Sequence, residues 1–394
     1  MSYIVPGEGQ LNTLYVDDYW IIDKFFGDRL WTWGNNASYG GLGDNTVINK
    51  SSPAQTIAGG INWKSVVCGD NHTAAIKTDG TLWIWGSNTQ GQLGDNSLVN
   101  KSSPVQTITG GNTDWQQVAC AYEHTAAIKT DGTLWSWGSN VVGNLGDNTV
   151  TKKSSPVQTI AGGTNWKLVD GGRFNTFAIK TDGTLWSWGQ DQYGQLGDNT
   201  RVNKSSPVQT IAGGTNWKSV NSGGWHTAAI KTDGTLWTWG YNERGTLGDN
   251  TVDNKSSPVQ TIAGGTNWKS VSCGLLHTAA IKTDGTLWSW GHNIYGQLGD
   301  NSIVFKSSPV QTITGGTNWK QVACGSYHTS AIKTDGTLWS WGYNVAGGLG
   351  DNTTTNKSSP VQTIAGGTNW KLVAGGTIHT AAISINNINT TGVE

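Results

Sequence analysis

Apolar positions in this chain alternate with polar ones in bursts of five or six residues, and nowhere with helical spacing. One set runs from Trp268 to Ile313. Trp268-Lys-Ser-Val-Ser-Cys-Gly274 reads as a first strand and His277-Thr-Ala-Ala-Ile-Lys282 as a second. Thr283 to Thr286 contain Asp-Gly, the preferred pair of a two-residue type I′ hairpin. Leu287-Trp-Ser-Trp-Gly291 reads as a third strand whose two tryptophans share a face. After a long connection, Ser308-Pro-Val-Gln-Thr-Ile313 reads as a fourth, with proline at its start.

This set recurs. The first Trp of Leu-Trp-x-Trp-Gly stands at Trp31, Trp83, Trp135, Trp186, Trp237, Trp288 and Trp339. Short strands repeated about every fifty residues predict a radial β array, and seven copies close a ring. The fold class expected is all-β: a seven-bladed propeller of four-stranded antiparallel blades over residues 30–385. Leu30–Gly34 lacks preceding partner strands, and Trp370–Val373 and His379–Ile383 lack following ones. Joined, they predict a seventh blade built from both chain ends, which removes free sheet edges.

The stretch Gly274 to Gly299 carries Gly-x-x-His-Thr-x-Ala-Ile-x-x-Asp-Gly-x-Leu-Trp-x-Trp-Gly-x-Asn-x-x-Gly-Gln-Leu-Gly. It resembles the regulator of chromosome condensation repeat family, and the resemblance covers about residues 30–385. The resemblance implies a seven-bladed propeller but no single function. Family members that act as exchange factors for a small GTPase carry insertions between blades. The even intervals here leave no room for one. Other members are secreted bacterial inhibitors that clamp an enzyme with one face.

Residues 1–29 do not repeat, and 386–394 form a short tail. Tyr15, Tyr19, Trp20, Phe25 and Phe26 make the N-terminal stretch rich in strand-forming aromatics. Aligned on Trp31, Trp20 falls at the His position of a second strand. The segment is expected either to compete with His379–Ile383 for the closing place or to act as an assembly arm.

Charged residues are 13% of the chain and the net charge is −1, with no basic run. Nucleic acid and anionic membrane surfaces are therefore disfavoured as partners. No apolar run reaches the length of a membrane span, and the N-terminus does not read as a signal peptide. Cys68, Cys120, Cys273 and Cys324 share one repeat position with Gly171, Ser222 and Gly375. A position that accepts Cys, Ser and Gly asks for small size, so free buried thiols are expected.

His72, His124, His226, His277, His328 and His379 also share a position, with Asn175 in the seventh copy. Asparagine is a poor transition-metal ligand. The resemblance implies instead that each His hydrogen-bonds within its own blade. The Leu-Gly-Asp-Asn motifs lack alternating carboxylates and read as capped turns rather than calcium loops. The residues that break the symmetry are Asp70, Glu123, Asp170, Arg173, Asp191, Arg201, Glu243, Arg244, Asp253 and His292. They are scattered over several blades and suggest no catalytic set. No cofactor, metal or enzymatic activity is expected.

Two segments per repeat vary freely: the pair before the His position and the residues after Trp-Gly. They follow strands one and three, which in a simple meander open on the same face. The segments after strands two and four hardly change. One face is therefore expected to be diverse and the other uniform. The diverse face gathers Phe174, Trp225, Leu275, Leu276, Tyr193, Tyr241, Arg244, Tyr295 and Tyr327. Aromatic residues on loops held by a rigid frame favour recognition. The expectation is a non-enzymatic propeller that binds a protein or glycan, as a phage or viral particle component used in host attachment or associated with the tail. The alternatives are a regulatory binding protein, acting as exchange factor or enzyme inhibitor, and a purely structural shell protein.

Overall fold

The computed structural model describes residues 27–385, apart from 38, 58, 59, 109–112, 365, 366 and 368. Seven four-stranded antiparallel sheets surround an axis. Six are simple meanders, numbered here as blades 1 to 6 over residues 63–106, 115–158, 166–209, 217–260, 268–311 and 319–362. In blade 5 the strands are Trp268–Cys273, His277–Lys282, Leu287–Gly291 and Lys306–Gln311. Blade 7 orders its strands Lys50–Gln55, Arg29–Gly34, His379–Ser384 and Trp370–Gly375. Arg29–Gly34 pairs along its whole length with His379–Ser384, from Arg29 opposite Ser384 to Gly34 opposite His379. The closing place thus belongs to the C-terminal strand. The aromatic stretch Tyr15, Tyr19, Trp20, Phe25 and Phe26 lies outside the described residues.

First strands are innermost and wall a central channel of about 330 Å3, lined by Val66, Gln117, Asp170, Asn221, Ser272 and Gln321 among others. Further out, the second Trp of each Leu-Trp-x-Trp-Gly is wholly buried between blades. All four cysteines are free; three are buried and Cys68 is half-buried.

Two local expectations need correction. The fourth strand begins two residues early, at Lys306, and places Pro309 inside it. It is an outermost strand, and the register shifts between Ser289 and Gly291, so the missing N–H breaks no regular ladder bond. The Thr-Asp-Gly-Thr hairpin is not type I′, because Gly285 has φ +81° but Asp284 has no positive φ. Gly285 N donates to Lys282 O (3.0 Å) and Lys282 N to Thr286 O (3.0 Å). This is a type I turn followed by a left-handed glycine. Asp284 is used for its side chain: Oδ1 accepts from Thr286 N (2.9 Å) and Oγ1 (2.7 Å). Thr286 Oγ1 in turn accepts from Trp288 Nε1 at 2.9 Å.

Polar side chains fasten the blades to one another. Trp137 Nε1 and Thr125 Oγ1 both donate to Gln92 O of the preceding blade, each at 2.8 Å. All seven boundaries repeat this, ending with Trp33 and Thr380 on Gly348 O. The histidines extend the link, and the expectation that they bond within their own blade is wrong. His124 Nε2 meets Thr176 Oγ1 of the next blade at 2.8 Å, and His72, His226, His277, His328 and His379 do likewise. Since the threonine hydroxyl proton is given to a carbonyl, histidine Nε2–H must be the donor. The ring is then neutral. Burial drives His124 down to about 3.

Leu-Gly-Asp-Asn closes the outer edge. Asp300 Oδ1 accepts from Ser302 N (3.0 Å), while Asn301, at φ +61°, donates its N–H to Ser358 O of the next blade (2.9 Å). Asparagine tolerates this left-handed backbone better than most residues.

Candidate functional site

The meander places both variable segments at one end of the ring. The first residues of the pairs, including Asp70, Tyr122, Arg173, Leu275, Ser326 and Thr377, edge the mouth of the channel. The second residues lie further out and meet the segments that follow the third strands.

These meetings occur at blade boundaries, where three variable positions converge. Between blades 3 and 4 they hold Tyr193, Trp225 and Tyr241, with ring centroids 5.1 to 6.3 Å apart. Between blades 5 and 6 the same positions hold Tyr295, Tyr327 and Tyr343, 5.0 to 6.1 Å apart. Between blades 4 and 5 they hold Arg244, Leu276 and His292. Most of these ring pairs are edge-to-face, the favoured aromatic geometry. The triads are held from below. Gln195 Oε1 accepts from Tyr193 N (2.9 Å), and Gln297 Oε1 accepts from Tyr295 N (3.0 Å). The Gln of Gly-Gln-Leu-Gly thus fixes the loop that presents the tyrosine.

Arg173 joins the first triad to blade 2. Its guanidinium lies 4.8 Å from the Tyr122 ring, 4.8 Å from Trp225 and 5.4 Å from Phe174. Phe174 and Tyr122 are themselves edge-to-face at 5.4 Å. An aromatic arc thus runs from Tyr122 through Phe174, Arg173 and Trp225 to Tyr193 and Tyr241. Most of its members are half-buried, whereas Arg244 is exposed. Asp70 bonds Thr377 across the blade 7 boundary, and burial, outweighing that bond and the Arg173 charge, raises its carboxyl. Burial and then the Arg244 charge lower His292, whose Nδ1 meets Gln297 Nε2 at 2.9 Å.

Of the predicted site residues, the structure brings Phe174, Trp225, Tyr193 and Tyr241 into one cluster and Tyr295 and Tyr327 into a second. Leu275 lies on the channel mouth. Tyr122, Arg173 and Tyr343 were not among the predicted site residues, although all three stand in the variable segments. Among the described residues, no group of three His, Cys, Asp or Glu side chains is placed to hold a metal ion. No described helix is long and apolar enough to cross a membrane.

A closed ring of seven four-stranded antiparallel blades defines a β-propeller, here with one diverse, aromatic face. A family model described as the RCC1-like domain matches residues 26–318, and models of the regulator of chromosome condensation (RCC1) repeat match 319–347 and 335–383. The chain belongs to this family. It is 31% identical to the ultraviolet-B receptor UVR8 of Arabidopsis thaliana, over 85% of this chain and 77% of that one. It is 28% identical to the X-linked retinitis pigmentosa GTPase regulator homolog of Caenorhabditis elegans, over 75% of this chain but 24% of the relative. Human E3 ubiquitin-protein ligase HERC2 is 26% identical, with 93% of this chain matching 8% of its length. Two solved structures share the fold: human WBSCR16 and Prp20p of Saccharomyces cerevisiae. Human WBSCR16 superposes with TM-score 0.81 at 22% identity, over 91% of this chain and 99% of that one. For Prp20p the values are 0.82, 21%, 92% and 93%.

Proposed function

We propose that this chain is a regulatory protein-binding propeller that acts without catalysis, and that its partner docks on the aromatic arc. The observation that carries the reading is the recurrence of an aromatic triad at two blade boundaries, built from positions that are not constant along the repeats. Aromatic rings already locked by neighbours and glutamine bonds lose little entropy on binding. The relatives support this reading over the particle component: they include a receptor, a GTPase regulator homologue and a ubiquitin ligase. Prp20p, which shares the fold, has binding properties to Gsp1p and histones, and this favours a protein as the partner class here. A glycan fits less well, because the triad rings pack edge-to-face on one another and keep few flat faces for a sugar.

The test is partner capture with the whole chain immobilised, comparing wild type with Trp225→Ala and Tyr241→Ala. Loss of the same captured protein from both variants, with melting temperatures within a few degrees of wild type, is the expected result. Undiminished capture by both would remove the arc from the function.

A further inference from the structure

We propose that the uniform face carries a second site, an axial ring of lysines at the far mouth of the channel that binds a compact oligophosphate. Lys64, Lys167, Lys218, Lys269, Lys320 and Lys371 each follow the Trp that opens an innermost strand. They are 51 to 103 residues apart in sequence. Closure of the propeller gathers them around the axis, at the end opposite Asp70 and Arg173. Five are exposed, and among the described residues only Lys371 has an ion-pair partner, Asp28.

A second set lies beside the first. Trp63 is opposite Lys77 in the ladder, so the lysines closing the second strands stand next to this ring. Each of the six is held between two tryptophans; Lys231, for example, lies 4.9 Å from Trp217 and 4.7 Å from Trp237. Of this set, only Lys129 is paired with an acid, Asp114. The aspartates of this face, such as Asp79 and Asp233, sit on the turns between second and third strands, further from the axis. Twelve lysines thus face eight carboxylates: six of these lie on the outer hairpin turns, while Asp28 and Asp114 pair with Lys371 and Lys129 and leave ten lysines without an acidic partner among the described residues. The near-zero net charge of the chain conceals this local excess.

The pattern selects the ligand. A nucleic-acid backbone laid across the face would pass over the aspartates at both sides. A compact anion on the axis meets the five exposed lysines of the ring from several directions, and their summed field draws it in. Oligophosphates have this chemistry, whether cyclic, as in an inositol polyphosphate, or linear. The site is on the opposite face from the aromatic arc and does not depend on it.

Gln116 occupies the same position in blade 2, so glutamine is compatible with the strand there. The test is calorimetric titration of the full chain with inositol hexakisphosphate and, in parallel, tripolyphosphate. Wild type is compared with a quadruple Lys167→Gln, Lys218→Gln, Lys269→Gln, Lys320→Gln variant and with a Lys152→Gln, Arg201→Gln control. One ligand per chain is expected, bound at least about tenfold more weakly by the quadruple variant and with a shallower salt dependence, while the control stays close to wild type. Either probe binding more tightly supports the site and names its source. Equal affinity in wild type and quadruple variant, equal loss in the control, or no binding of either probe by wild type at about 50 mM salt overturns it.

Discussion

His124 Nε2 and Thr176 Oγ1 are 2.8 Å apart although they belong to different blades. The bond continues through the threonine hydroxyl to Asn144 O at 2.8 Å, so one histidine secures a chain of contacts across the boundary. His124→Ala removes a buried donor and leaves a cavity beside Thr176. A loss of about 2–4 kcal/mol is expected, read as a lower urea midpoint. An unchanged midpoint would mean that the Trp188 and Thr176 bonds to Asn144 suffice.

Asn175 is the one copy without this bridge. Its Oδ1 meets Ser222 Oγ at 3.4 Å, and Thr227 is left with its carbonyl bond to Gln195 alone. Asn175→His supplies the missing donor. A gain of about 1 kcal/mol is expected, the usual net worth of one buried hydrogen bond. Equilibrium unfolding of the two proteins side by side measures it; a destabilised variant would show that Ser222 and its neighbours have repacked around the shorter side chain.

The same histidines set the response to acid. Burial holds His72, His124, His226, His277 and His328 at about 3 and His379 at about 4. In the unfolded chain they take up protons near 6.5, so the unfolded state binds more protons between these limits. The stability this confers is complete above about 6.5 and is lost as the pH falls from there toward 3. Melting temperature should therefore drop steeply with acidification over that window. His226→Asn should flatten the drop, and an identical acid profile would count against burial of a neutral ring.

The ring could be read from sequence because its determinants recur at fixed intervals: tryptophans that pack between blades, Asp-Gly turns, and first strands bearing small residues such as Cys273 or Ser222. Contacts between blades could not. His124 is one repeat from the partner it bonds, and an even repeat gives the same spacing whether a bond stays in its blade or crosses to the next. The recognition surface was legible as variation against a constant scaffold. The cage of Arg173 was not, because Tyr122 and Trp225 flank it from two other blades. The lysine ring was hidden for the same reason, since residues such as Lys167 and Lys218 make no charged run in sequence.

Asp191 provides the sharpest single test of these local rules. Six copies have Asn there, and Asn242 shows its role: Oδ1 accepts from Leu247 N (2.9 Å) and Nδ2 donates to Asp249 Oδ1 (3.1 Å). Asp191 keeps the first bond, from Leu196 N at 2.8 Å, but faces Asp198 with a carboxyl. Burial, with the Asp198 charge adding to it, pushes Asp191 up to about 7. Lys204 approaches Asp198 to 3.3 Å, against 3.7 to 3.8 Å for the equivalent pairs of other blades. A raised folded-state value means that the native protein holds a proton the unfolded chain has released, so the contribution is intact below about 4 and is lost as the pH rises to 7. Asp191→Asn restores the repeat's own amide. It should stabilise the protein at pH 8, where wild type must bury the charge, and change it little at pH 5, where the protonated carboxyl can donate to Asp198 as the amide does. Thermal melts of both proteins at the two pH values decide this: an equal gain at both would assign the effect to packing, and no gain at pH 8 would mean that Lys204 already neutralises the pair.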